Sequence, residues 1–272
     1  METGEASRKA AERGRNVRFC GLPLTIDVTV EDVIARTFDS PADRPLLTTF
    51  VNPGAVHMAR SRPDYQATLA RFDLVLPDGI GIVWGWRALH REPLRRISFG
   101  STSLALPILR RAKADGRRVM LIGGRPGVAD AAATALRAAV PGVAFCKTHH
   151  GYDAFAAYEA LVRAERPDVV ICGMGLPLQE ALLVALRDSG CLTGPAFTCG
   201  GYFDQLHEGL HYYPRIVGRL NLRWLYRLYR EPRRLWRRYL LEYPEYGAAL
   251  AQEFFRRPTG TSPVGPNAEG TL

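Results

Sequence analysis

The chain has 272 residues, 47% of them hydrophobic, with 26 glycines, 19 prolines and a formal net charge of +9 carried almost entirely by arginine. That length and composition suit about two domains, or one α/β core with an appendage, able to bury a sizeable interior. No run approaches the roughly 20 apolar residues that span a bilayer, so any membrane contact is peripheral, and the basic balance points to anionic partners: nucleic acid, acidic lipid or a phosphorylated small molecule.

Residues 1–16 read as a charged, disordered lead without the apolar core of a signal peptide. Val17 to Thr25, around Cys20-Gly21-Leu22-Pro23, predicts a short hairpin. Thr29-Val30-Glu31-Asp32-Val33 opens a helix with an N-cap threonine and early acids. Leu46 to Val51 is a strand ending at Asn52-Pro53-Gly54, and Arg62 to Arg71 is helical by pattern. Strand Asp73–Leu76 and helix Ile80–Leu89 follow, then a polar loop, Arg95 to Ser103, and helix Leu104–Asp115. Further on, strands Arg118–Ile122, Val143–Cys146, Asp168–Cys172 and Ala196–Cys199 alternate with helices Val128–Val140, Asp153–Ala164 and Pro177–Arg187. Alternation at this spacing argues for a Rossmann-like α/β core, a parallel sheet with right-handed crossovers, over residues 17–205.

After Asp204 the character changes, and 206–256 read as a helical, membrane-proximal appendage. Arg215, Arg219, Arg223, Arg227, Arg230, Arg233, Arg234, Arg237 and Arg238 interleave with Trp224, Tyr226, Tyr229, Trp236 and Tyr239, and Glu231 is the one acid among them. Pro232 suits a first helical turn, so two helices break near Glu231. Arg223, Arg227 and Arg230 share a face of the first; Arg234 and Arg238 share one of the second. Such a segment reads as a solvated face, a nucleic-acid patch or a membrane-surface element, and Trp and Tyr beside Arg on short amphipathic helices suit an interface best. Helices of this kind also pack between copies of a chain, so a homo-oligomer is compatible. Residues 257–272, rich in Pro, Gly and Thr, read as a disordered tail.

Phe72-Asp73-Leu74-Val75-Leu76-Pro77-Asp78-Gly79-Ile80-Gly81 is the stretch around which a site is expected. Leu74, Val75 and Leu76 form the continuous apolar run of a strand covered on both faces. Asp78 then stands in a turn at that strand's carboxyl end, where open α/β sheets place ligands and catalytic groups. A lone Asp in such a turn caps the next helix more often than it catalyses, and only its company raises it above that. Gly173-Met174-Gly175-Leu176-Pro177-Leu178-Gln179-Glu180 supplies some of that company, with Gln179 set to hydrogen-bond a sugar or base as readily as to start a helix. Gly123-Gly124-Arg125-Pro126-Gly127 follows a strand and precedes a helix, so its N–H groups can face a phosphate, although a plain tight turn is the simpler reading.

Cys20, Cys146, Cys172, Cys191 and Cys199 are odd in number and contain no C-x-x-C, as expected of reduced, mostly buried thiols in a cytosolic protein. His57, His90, His149, His150, His207 and His211 show no metal-ligand spacing, so neither metal nor cofactor is expected, and His57 and His90 read as structural.

Taken together, the order and spacing of these motifs resemble the WecG/TagA/CpsF family of bacterial glycosyltransferases, from Val17 to the second arginine helix. The matching stretches are Asn52 after its strand, Asp73 to Gly81, Arg96 to Gly100, Leu121 to Gly124, Gly173 to Glu180, Gly200-Gly201-Tyr202-Phe203-Asp204, and Trp224-Leu225-Tyr226-Arg227-Leu228 with Glu231-Pro232-Arg233-Arg234 and Arg237-Arg238. The resemblance implies a metal-independent, inverting transferase that moves a hexose or N-acetylhexosamine from a UDP-sugar to a polyprenyl-diphosphate-linked sugar. It implies a cytoplasmic location, peripheral on the inner face of the cytoplasmic membrane. It implies Asp78 as the base, with Asn52, Thr49, Arg96, Gly124, Gln179, Glu180, Gly201 and Asp204 lining the substrates. Arg227, Arg230, Arg234 and Arg238 would close over the site and neutralise diphosphate charge.

The chain also departs from that family. Phe50 stands where a threonine is common, with Thr49 adjacent, and an Arg-x-x-Gly-x-Asp pattern becomes Arg96 to Thr102, longer by one and without its Asp. Tyr213-Pro214 replaces an Ala-Pro, and Arg223 replaces a Glu. The rival reading is a basic nucleic-acid-binding protein with a Rossmann-like core, supported by the arginine segment alone. A nicotinamide dehydrogenase fails for want of G-x-G-x-x-G and its ribose-binding acid.

Overall fold

In a computed structural model, residues 14–41, 44–209, 217, 223–230, 236 and 243–256 are described. Arginines 234 and 238, the tail 257–272 and most of the expected second arginine helix lie outside them.

The chain begins with an antiparallel hairpin, β1 (Arg15–Phe19) and β2 (Leu22–Ile26). It starts at Arg15, inside the stretch read as a disordered lead, because Val17 and Phe19 pack against the core. Helix α1 (Val30–Phe38) carries the capping box read from its sequence: Asp32 N–H donates to Thr29 Oγ1 at 3.1 Å, and Thr29 N–H donates to Asp32 Oδ2 at 2.9 Å. There follow β3 (Leu47–Val51), α2 (Pro53–Ser61), α3 (Pro63–Leu69), β4 (Leu74–Pro77), α4 (Ile80–His90), α5 (Ala105–Ala114), β5 (Arg118–Gly123), α6 (Val128–Ala139), β6 (Ala144–Phe145), α7 (Phe155–Glu165), β7 (Val169–Gly173), α8 (Leu178–Asp188), β8 (Ala196–Thr198) and α9 (Tyr202–Glu208). Beyond these lie α10 (Arg223–Arg230) and α11 (Tyr243–Arg256).

Six strands form one parallel sheet in the order β4-β3-β8-β7-β5-β6. Successive strand residues alternate faces, and the core divides accordingly. Leu47, Val51, Val75, Met120, Ile122, Val170 and Cys172 point to the layer of the hairpin, α2, α3, α4, α7 and α8. Phe50, Leu74, Leu76, Val119, Leu121, Val169, Ile171 and Phe197 point to the layer of α1, α5, α6 and α9. The sequence-based expectation of a Rossmann-like α/β core with near-continuous apolar strands holds.

Two helices were not anticipated. Pro53-Gly54 reads as a turn, yet Pro53 is at the first turn of α2, where proline loses no hydrogen bond, and Asn52 caps it by accepting from Gly54 N–H at 2.9 Å. Helix α9 runs through residue 205, where the sequence reading ends the core. Edge strand β6 is shorter than expected, two residues long.

Helix α11, within the expected appendage, docks on the core. Tyr246 Oη donates to Gly81 O in α4 at 2.9 Å, Arg60 of α2 donates to Gln252 at 2.9 Å, and His57 Nδ1 lies 2.6 Å from Glu245. His57 is thus structural, as expected, and all five cysteines are buried and unbridged.

At the carboxyl end of β5, Gly123 has φ of +145°, and a Cβ there would lie 2.3 Å from the Gly173 carbonyl oxygen of β7. The obstacle is backbone of the central sheet, which cannot swing away. Gly123→Ala should therefore cost about 2–4 kcal/mol, read as a lowered urea midpoint at unchanged slope; a midpoint equal to wild type would show that the strand ends separate freely.

Candidate active site

Chain order along the sheet reverses next to β3, which lies between β4 and β8. Crevices at such reversals, beyond the carboxyl ends of the strands, are where α/β sheets bind ligands. Asn52 after β3, Asp78 after β4, the Met174–Gln179 turn after β7 and Gly200-Gly201 after β8 all fall on this side.

The floor of the crevice is a buried polar cluster. Thr49 lies on the α8 side of β3 by strand alternation, and it is fully buried. Its Oγ1 donates to Glu180 Oε1 at 3.0 Å and lies 2.9 Å from Thr198 Oγ1 of β8. Gln179 Nε2 donates to the same Glu180 oxygen at 2.8 Å, and Gln179 Oε1 accepts from Gly200 N–H at 3.0 Å. One carboxylate and one carboxamide thereby tie β3, α8 and the β8–α9 turn together. Glu180 Oε2 and the Tyr65 hydroxyl are buried without a hydrogen-bond partner among the described residues. Burial pushes the Glu180 carboxyl up to about 7, against the donors Gln179 and Thr49, which pull it down. Burial and, secondarily, the Glu180 charge push the Tyr65 phenol up.

Asp78 is held differently. Its N–H donates to Val51 O at 2.8 Å, which clamps the β4 exit to the β3 exit. Gly79 takes φ of +86°, a left-handed value that glycine tolerates, and its N–H donates to Asp78 Oδ1 at 2.7 Å. Arg96 Nε and Nη2 donate to that same oxygen at 3.1 and 3.0 Å. Oδ1 therefore accepts three hydrogen bonds, whereas Oδ2 accepts none among the described residues. The carboxylate side chain remains 29% exposed.

Arg96 is delivered by a packed loop. Ile97 N–H donates to Pro77 O at 3.0 Å. Phe99 lies beside Phe50, Phe197 and Tyr202, with ring centroids 5.9, 5.9 and 5.8 Å apart. Across this loop, Ser101 Oγ lies 2.7 Å from Tyr202 Oη, a link that no local pattern in the sequence announces.

Several expected substrate contacts take another form. Thr49 and Glu180 are fully buried and support Gln179 from beneath instead of facing the crevice. Gln179 is itself 3% exposed and tied at both ends of its amide. Gly124 N–H donates to Gly173 O at 3.1 Å and Gly123 N–H to His149 O at 2.9 Å, so these two donors of the loop are engaged by neighbouring backbone. Gly201 precedes α9 and Asp204 stands in its first turn. Arg227 and Arg230 lie on α10, as the periodicity predicts; Arg234 and Arg238 lie outside the described residues. Among the described residues, no helix is long and apolar enough to cross a membrane.

Residues 17–260 match the Glycosyl transferase WecG/TagA/CpsF family. The chain is similar to the UDP-Gal:alpha-D-GlcNAc-diphosphoundecaprenol beta-1,4-galactosyltransferase of Shigella boydii, 27% identical over 74% of this chain and 83% of that protein. It is also similar to the N-acetylglucosaminyldiphosphoundecaprenol N-acetyl-beta-D-mannosaminyltransferases of Bacillus spizizenii, 30% identical over 73% of this chain and 76% of that one, and of Bacillus subtilis, 28% identical over 75% and 78%.

The raised Glu180 carboxyl makes stability depend on pH. Between its ordinary value of 4.5 and about 7, the folded chain keeps a proton that the unfolded chain releases. Stability therefore falls as pH rises through that window, by up to about 3 kcal/mol from this group. Glu180→Gln, which retains an acceptor and cannot ionise, should flatten the decline in urea unfolding between about pH 5 and pH 8; an identical slope in both proteins would remove Glu180 as its source.

Proposed function

The chain belongs to the WecG/TagA/CpsF glycosyltransferase family, and we propose that it transfers a hexose or N-acetylhexosamine from a UDP-sugar to a polyprenyl-diphosphate-linked saccharide, inverting the anomeric centre, in the synthesis of a cell-surface polymer. It is a hexosyltransferase by family and by its relatives. The observation that carries the chemistry is the asymmetry of Asp78. Oδ1 is fixed by Arg96 and Gly79 N–H, while Oδ2 accepts no hydrogen bond among the described residues.

In the proposed step the acceptor hydroxyl oxygen attacks the anomeric carbon from the side opposite UDP. Its proton passes to Asp78 Oδ2. The bond from the anomeric carbon to the β-phosphate oxygen breaks, and its electron pair leaves with UDP. Inversion fits a β-glycosidic product from an α-linked sugar nucleotide, and the Shigella relative's name carries that β descriptor. Arg96 fixes the carboxylate so that one syn or anti lone pair, not a rotating group, meets the hydroxyl. Asn52 lies next to this turn, with its Cβ 3.5 Å from where a Gly79 Cβ would stand, and on this reading shares the acceptor.

The reaction proceeds without a metal on this reading, so cations must meet the charge of the departing diphosphate. Arg227 and Arg230 on α10, with Arg234 and Arg238 further along, are the candidates. A lipid-linked acceptor also suits a protein resting peripherally on the inner face of the cytoplasmic membrane, with arginines and aromatic side chains at the lipid surface. Tyr229 is 82% exposed and Trp236 47% exposed, as such an element requires. The nucleic-acid reading keeps only the basic segment in its favour, and the relatives do not support it.

Asp78→Asn should lower transfer by roughly 10²–10⁴-fold, measured with a panel of UDP-hexoses and UDP-N-acetylhexosamines on a lipid-linked GlcNAc acceptor, while UDP binding by calorimetry stays near wild type. Full activity in the variant would exclude Asp78 as the base. Loss of UDP binding as well would mean that the carboxylate organises the donor site instead.

A further inference from the structure

The loop between β6 and α7 has no part in the proposed chemistry, yet it gathers three metal-ligating side chains. His149 Nε2 lies 2.7 Å from Asp153 Oδ2, and His150 Nε2 lies 3.9 Å from the same oxygen. The two imidazoles stack with centroids 4.6 Å apart and planes inclined by 23°. The three donor atoms all lie within 4.8 Å of one another, each side chain partly exposed. Donors around a divalent ion with bonds of about 2.1 Å stand about 3 Å apart, so modest χ rotations bring these three to coordinating separation. We propose that His149, His150 and Asp153 bind one divalent transition-metal ion, zinc by preference, with water completing the shell.

The donor set selects the class. Two imidazoles and one carboxylate suit zinc, nickel, cobalt or ferrous iron; magnesium and calcium want oxygen. The scaffold is ordered before any ion arrives. His149 N–H donates to Leu121 O at 3.0 Å, and its carbonyl accepts from Gly123 N–H at 2.9 Å. Gly151 N–H donates to Gly124 O at 2.9 Å. The buried Tyr158 hydroxyl accepts from Asp153 N–H at 2.8 Å and donates to His150 O at 3.1 Å. Each ligand residue is thus held by the backbone of β5 or by α7, so binding orders side chains and not a loop.

The simpler alternative is an i, i+4 ion pair between His149 and Asp153. It leaves the second imidazole on the same carboxylate unexplained. Coordination has a cost: Tyr152 N–H lies 3.3 Å from His150 Nδ1, and ligation through Nε2 moves the ring proton to Nδ1 and breaks that contact. The contact is long, and a coordinate bond outweighs it. Sequence spacing hid the site, because adjacent histidines with an acid three residues on match no familiar ligand signature.

Gly151 of this loop packs against Gly123, Gly124 and Met174 at the carboxyl ends of β5 and β7, three to four strand spacings, roughly 14–19 Å, from the β4 end that carries Asp78. The loop thus borders the same end of the sheet as the crevice, and the metal inference does not rest on the transferase reading.

Calorimetry of tag-free, EDTA-stripped full-length protein with zinc chloride tests it. One ion per chain should bind with a micromolar or tighter Kd. His149→Ala, His150→Ala and Asp153→Asn should each weaken it at least tenfold while keeping the wild-type Tm in EDTA. Cobalt loading should give a visible d–d band that the variants lose. Should one variant unfold, the other two and the cobalt spectrum decide. Zinc binding no tighter than millimolar, or binding unchanged in the variants that fold, overturns the site.

Discussion

A buried carboxyl group lies beneath the candidate active site. Glu180 is fully enclosed, and what it has for company is hydrogen-bond donors: Thr49 from β3 and Gln179 beside it. Removing a carboxylate from water costs several kcal/mol, and burial accordingly pushes this group's proton affinity up. The cost is offset by rigidity. Through Gln179 the same cluster reaches Gly200 N–H, so the ends of β3 and β8 and the start of α8 move as one piece. β3 and β8 already pair within the sheet, and the crevice opens beyond their carboxyl ends, where the ladder stops. There the ends are bridged by side chains that no solvent competes for.

The two acidic groups divide their roles by environment. Glu180 is inside, hydrogen-bonded and structural. Asp78 has one oxygen engaged by Arg96 and Gly79 N–H and, among the described residues, the other without a partner. Arg96 fixes the orientation of the carboxylate that the proposed reaction protonates.

How much of this was legible in the sequence follows from which signals are local. Capping at Thr29, the apolar run Leu74–Leu76 and the βα alternation are local, and the fold reads out of them. The position of Asp78 at a strand's carboxyl end was legible for the same reason. Arg96 was expected to line the substrate, but its pairing with Asp78 could not be read, because that pairing depends on Phe99 seating the loop against Phe50 and Phe197. Thr49 and Glu180 were expected to touch substrate; 131 positions separate them, and only the packed sheet shows that they bond each other beneath the surface. Helix α2 was missed because Pro53-Gly54 satisfies turn chemistry and a proline-started helix equally well. The His149–His150–Asp153 cluster was missed because ligand signatures are spacing rules, and this loop makes its cluster by folding tightly around Tyr158.

Topology also bears on the arginines. The chain that carries them leaves the core after α9, which starts at the carboxyl end of β8, and rejoins it at α11. α11 is fixed by Tyr246 to Gly81 in the first turn of α4, three residues past Asp78. The segment between these two points carries the arginines proposed to meet the diphosphate charge, and its return point at α11 is fixed to the helix that follows Asp78.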